Sequence, residues 1–278
     1  TNTTRRKRAQ TSSSKVAKVR PKRALRTYKQ AIQYLFKKTD YEREEYLRYN
    51  VTTFNLDRMD KLLSLLGNPQ SKFRTVHIAG TKGKGSTATM LAKMLESNGY
   101  KVGLYTSPHL VHLHERIVVN SKMLTDSQML GLMNRVHAPV EKLSDMEEAP
   151  TFFEIMTALA FMHFQDQDVD VAIIETGLGG RLDSTNVITP EVIGITSLSI
   201  DHQQQLGTSL DSIAKEKAGV MKKGIPVITV AQDPMAMKVL KATANSVHAP
   251  LHVTGGDIDF SYRFETSREH GPHTRICL

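Results

Sequence analysis

From Thr27 onward the apolar residues recur at helical spacing first and in short continuous runs later. Ile32, Leu35 and Phe36 share one face of segment 27–38; Leu56, Met59, Leu62, Leu63 and Leu66 share one face of 55–66. Both stripes predict helices that face a core, the second ended by Gly67-Asn68-Pro69. Val- and Ile-rich runs then predict strands at 74–79, 101–105, 169–174, 192–197 and 226–230. Between them helices are predicted at 85–98, 125–142, 151–166, 208–217 and 233–247. Strands that are apolar without alternation are those covered on both faces. The alternating order therefore predicts an α/β fold, a doubly wound parallel sheet with flanking helices. Segment 260–264 alternates like one further strand. The expected organisation is a leader over 1–26, one domain over 27–253, and a closing strand segment of that domain over 254–278.

Composition narrows the class. Of 278 residues, 40% are hydrophobic and 23% charged, the balance of a chain that builds a core. No apolar run approaches the roughly 18 residues of a membrane-spanning helix. The single cysteine, Cys277, allows no internal disulfide. The net charge of +9 is local: residues 1–29 hold eleven of the 37 basic residues and no acid. The rest of the chain carries 26 basic against 28 acidic residues, so no basic groove for nucleic acid is expected on the body. The Arg-, Ser- and Thr-rich leader is similar to a transit peptide, which points to the mitochondrion; a solvated tail on a cytoplasmic protein is the alternative.

In doubly wound sheets ligands bind beyond the carboxyl ends of the strands, so the residues there are the candidates for chemistry. The first strand runs into Gly80-Thr81-Lys82-Gly83-Lys84-Gly85-Ser86 and then a helix. Glycines let the backbone wrap an anion, and the helix start aims unpaired N–H groups at it. Lys84 can neutralise β- and γ-phosphates, and the Ser86 hydroxyl can bind Mg2+. The third strand ends in Glu175 and a glycine-rich stretch to Asp183; Glu175 reads either as a metal-side carboxylate or as a solvated cap. Asp201-His202 follows the fourth strand, and Glu154 opens the 151–166 helix, where it can complement the helix dipole or reach a metal. After the second strand come Thr106-Ser107-Pro108-His109, then His112, His114, Glu115 and Arg116. Three histidines at that spacing raise zinc, but a substrate-contacting loop is the favoured reading.

Taken together, His77 to Ser86, Thr106 to Leu110, Ile174 to Asn186, Asp201-His202 and Lys215-Glu216-Lys217-Ala218-Gly219-Val220 resemble the folylpolyglutamate synthase and dihydrofolate synthase family, a branch of the Mur ligases. The resemblance runs over about residues 28–275 and implies a P-loop-containing ATP-binding domain. It implies that ATP phosphorylates a substrate carboxylate and that the amine of L-glutamate displaces the phosphate. It implies Gly80 to Ser86 and Asn186 at the nucleotide, Ser86, Glu154 and His202 at Mg2+, and Lys84, His202 and Lys217 in catalysis. It further implies a carbamate on Lys217, which alone would read as an exposed helix lysine. Ser107, Pro108, His109 and Arg116 would lie at dihydropteroate or folate. Segments 55–59 and 151–154 are similar to bacterial-type enzymes and plant dihydrofolate synthases, which favours dihydropteroate over a polyglutamylation substrate. A monomer is expected. Family members carry a second αβ domain after this point; with it absent, a truncated chain of low turnover is expected.

Overall fold

The structure is a computed structural model that describes residues 24–39, 56–201, 203–258, 261–269 and 271–277. Most of the leader, Asn55 and His202 lie outside the described residues.

Two helices come first, α1 (Tyr28–Leu35) and α2 (Leu56–Leu65); α2 buries Met59, Leu62 and Leu63 on the predicted face, whereas α1 buries Ala31 and Leu35, leaving Ile32 half-buried and Phe36, expected to face the core, exposed. The α/β series follows as β1 (Arg74–Ala79), α3 (Lys84–Ser97), β2 (Val102–Tyr105), β3 (Ile117–Val119), β4 (Lys122–Met123), α4 (Asp126–Ser144), α5 (Phe152–Asp166) and β5 (Val171–Glu175). It continues through β6 (Val192–Ile195), a short α6 (Gln203–Leu206), α7 (Leu210–Ala218), β7 (Val227–Thr229), α8 (Pro234–Val247) and β8 (Leu251–Val253). These strands form one sheet in the order β4-β3-β2-β5-β1-β6-β7-β8. The six strands from β2 to β8 in that order pair in parallel, as expected. At the other edge β2-β3-β4 pair antiparallel, a departure from the all-parallel expectation. The β3–β4 turn passes through Asn120 and Ser121, both at positive φ.

β1 lies centrally and is buried from Thr75 to Ala79. Val76 and Ile78 pack beneath α3 with Ala88 and Ala92, while α5, apolar around its whole circumference, fills the core on the other side of the sheet. Capping is explicit in α5: Thr151 Oγ1 accepts from the Glu154 amide, and the Glu154 carboxylate accepts from the Thr151 amide. The end of the chain differs from expectation. Instead of adding a strand to the main sheet, β9 (Ser261–Ser267) pairs with β10 (Gly271–Cys277) in a separate antiparallel ribbon. No described helix is long and apolar enough to cross a membrane.

Candidate active site

The loop after β1 is fixed from both sides. The amides of Thr81 and Lys82 donate to the Ser197 carbonyl beyond β6, and Thr196 N donates to Ala79 O. Gly80 sits at φ 144°, and a side chain there would place its Cβ 1.9 Å from Thr196 Oγ1, so no other residue fits. Gly83, at φ 82°, begins α3 as an N-cap without a side-chain oxygen. No side chain therefore competes for the amides of the first turn, where Lys84, Gly85 and Ser86 lie, and an anion is favoured there.

Two further groups close on this loop. Glu175, at the tip of β5, is buried, and a Cβ on Gly85 would lie 3.4 Å from its Oε2. The same oxygen accepts from the Ser107 amide at 3.2 Å, which brings the loop after β2 to the site. Lys217 is not the exposed helix lysine that its segment alone suggested. It is 3% exposed, and its Nζ donates to the Gly80 carbonyl at 2.7 Å. Burial, reinforced by the Lys84 ammonium, pushes its pKa down to about 8, against the pull of Asp201 and Asp183. His202 itself lies outside the described residues, but its neighbour Asp201 is thus within electrostatic reach of Lys217.

Two expected site residues have protein partners in the structure. Glu154 lies in a buried pair with Arg58 of α2: Arg58 Nε donates to its Oε1 and Oε2 at 3.0 and 2.8 Å, and an Arg58 Nη stands 2.8 Å from Oε1. With the Thr151 amide also on Oε2, this carboxylate ties α2 to α5. No spacing rule reveals this pair, because 96 residues separate its members. Asn186 donates to the carbonyls of Arg181 and Gly219 at 3.0 and 3.2 Å and accepts from Lys222 Nζ at 3.1 Å. It therefore ties the glycine-rich loop to the end of α7.

The loop after β2 begins with a cis Ser107–Pro108 bond. Arg116 is buried, its Nε donating to His109 Nδ1 at 3.0 Å and its guanidinium 5.4 Å above the Phe152 ring. His114 stacks on Tyr28 at 5.2 Å. Glu115 accepts from the amides of Leu110, Val111 and His112, which press its pKa to about 2.

A hydroxyl at Ser86 and one carboxylate at Glu175, completed by phosphate oxygens and water, is a donor set that Mg2+ accepts. Among the described residues no three His, Cys, Asp or Glu side chains converge as a closed transition-metal site requires. The residues therefore fit Mg2+.

Residues 78–259 match the Mur ligase middle domain. The chain belongs to the Mur ligase family. Within this family it is 46% identical over 198 residues to the dihydrofolate synthase/folylpolyglutamate synthase of Bacillus subtilis (strain 168), covering 70% of this chain and 46% of that protein. Identity to the dihydrofolate synthetase of Saccharomyces cerevisiae is 39% over 210 residues, 73% of this chain and 48% of that protein. The folylpolyglutamate synthase of Mycobacterium tuberculosis, solved with ADP, superposes with a TM-score of 0.78 at 32% identity, covering 90% of this chain and 54% of that one. This Mur ligase chain thus spans about half the length of the relatives it matches.

Proposed function

We propose that the chain binds Mg2+–ATP at the Gly80–Ser86 loop and serves the ligation of L-glutamate to the carboxylate of a pterin-bearing acid, dihydropteroate or a folate. The observation that carries this reading is the convergence of an uncapped helix start, the Glu175 carboxylate and the Lys84 and Lys217 amines on one loop. A carboxylate is a poor electrophile, so the reaction begins by activating it. A substrate carboxylate oxygen bonds to the γ-phosphorus as the bond to the β-phosphate oxygen breaks, and ADP departs. The glutamate amine then adds to the carbonyl carbon of the acyl phosphate, loses its proton, and inorganic phosphate leaves with the C–O bonding pair.

Each residue has a share in this. The loop amides and Lys84 neutralise phosphate charge as it redistributes in transfer. Ser86 and Glu175 would hold Mg2+, which when bound would screen the β- and γ-phosphate oxygens. Lys217, with its lowered pKa, keeps a fraction of neutral amine near neutral pH. A neutral amine can add to CO2, forming an N–C bond and releasing a proton to water, which supports the carbamate reading. Ser107, whose amide donates to the same carboxylate, and the adjoining Pro108 are proposed at the pterin-bearing acid, with Arg116 and His109 stiffening the loop behind them. Dihydropteroate is the proposed acceptor; a folyl substrate, or both, is the alternative.

The test is release of ADP by this chain. The expected result is release that requires a pterin-bearing acid and glutamate together. ATP binding without release under any such pair would instead support a nucleotide-binding module.

A further inference from the structure

β1 carries a histidine for which the proposed chemistry has no use. Val76 and Ile78 face α3, so His77 points into the opposite face of the sheet, where it is fully buried. Its Nε2 lies 2.8 Å from Thr185 Oγ1, and Thr185 Oγ1 donates to Asp183 Oδ1 at 2.5 Å. Asp183 is itself buried and accepts from the amides of Thr185 at 3.0 Å, Leu178 at 2.8 Å, and Gly177. Burial raises the Asp183 pKa, while the Thr185 hydroxyl and the three amides oppose that rise and favour the ionised carboxylate, which gives the chain a direction. An ionised carboxylate only accepts, so the Thr185 proton goes to Asp183 and the hydroxyl can only accept from His77. The imidazole proton therefore sits on Nε2, and Nδ1, which has no hydrogen-bond partner, is bare. A leucine would fill the same core position without a stranded acceptor, but it would supply no Nε2–H to Thr185.

The beneficiary is the loop between Glu175 and Asn186. Its Gly177 and Leu178 amides hang on Asp183, directly after Glu175. Its Gly180 packs so closely on α7 that a Cβ would meet Glu216 O at 2.9 Å and Lys217 O at 3.1 Å. The Arg181 amide donates to Glu216 O at 2.8 Å. Where this loop sits therefore sets the position of both Glu175 and Lys217.

We propose that His77 is a positioning residue: through Thr185 and Asp183 its Nε2–H locks the Gly177–Asp183 loop and so aims Glu175 and Lys217 at the phosphate loop. The proposal rests on the Mg2+–ATP reading of that site. Lys222 is the charged group that bears on the imidazole, and together with burial it keeps His77 neutral.

The experiment compares His77→Leu, His77→Asn and His77→Gln in the full chain by calorimetry, with ATP in the presence and absence of Mg2+, alongside Tm. A glutamine amide reaches the Nε2 position, whereas an asparagine amide reaches only the Nδ1 position. The expected result is unchanged binding of metal-free ATP in all variants. Binding of Mg2+–ATP falls about tenfold in His77→Leu and His77→Asn, as when a group orienting a metal ligand is removed, and returns in His77→Gln. Thr185→Val should give the same loss, and the double variant with His77→Leu no more than either alone. In the wild-type chain, imidazole 15N shifts should report protonated Nε2 and bare Nδ1 from about pH 5 to about pH 9. Undiminished Mg2+–ATP binding in His77→Leu, or failure of His77→Gln to restore it, would overturn the proposal, as would a proton on Nδ1. If the wild-type chain binds no Mg2+–ATP, the nucleotide reading fails instead, and the 15N shifts alone decide the His77–Thr185–Asp183 relay.

Discussion

Lys217 shows how burial changes a residue that composition makes ordinary. In the sequence it is one of two lysines flanking Glu216 on a helix, and only the motif distinguished it. Folding places it under the Gly80 carbonyl, with its pKa lowered to about 8 against a usual 10.5. The sign of the pH effect follows. Below about pH 8 both folded and unfolded chains hold the proton, and the fold bears the full cost of burying the cation. Between the two pKa values the unfolded chain holds more protons, so stability rises with pH. The urea midpoint of wild type should therefore gain on that of Lys217→Met from pH 7.5 to 9.5; a constant difference would mean that Lys217 is not buried as a cation. Gly80 offers a second residue-scale test. An alanine there meets both an unfavourable φ and the Thr196 hydroxyl, so Gly80→Ala should cost more than about 1 kcal/mol in thermal unfolding.

The elements that carry the site were readable because they are long and regular. β1 was predicted at its observed bounds, and the predicted bounds of α3 and α8 each lie within a residue of those seen. β3, β4 and β8, of three residues or fewer, escaped because so short a run has no period to detect, whereas the equally short β7 was marked by the longer apolar run 226–230 around it. The β3–β4 turn also uses Asn120-Ser121 in place of the Asn-Gly that marks such hairpins. Roles that depend on distant partners were equally hidden. Glu154 and Glu175 both stood at the ends of elements, and only packing shows that Arg58 meets one and Gly85 adjoins the other. This separates their mutants. Removing one partner of the buried pair, as in Arg58→Met, should destabilise the fold by about 3 kcal/mol in urea. Glu175→Gln should leave that stability nearly unchanged while weakening Mg2+–ATP binding by calorimetry. The reverse pattern would favour a metal role for Glu154 over the structural one.

For the molecule as a whole, the crossover order that puts β5 between β1 and β2 was not in the pattern of the chain, yet it creates the site. It sets Glu175 beside the start of α3 and Ser107 beside Glu175. Each of these roles requires a nucleotide to bind there. Titration of the chain with Mg2+–ATP in a calorimeter tests that most directly, with wild type against Lys84→Ala. Saturable single-site binding by wild type, reduced at least about tenfold in Lys84→Ala, is the predicted result. Equal binding by the two chains, or none by wild type, would contradict it.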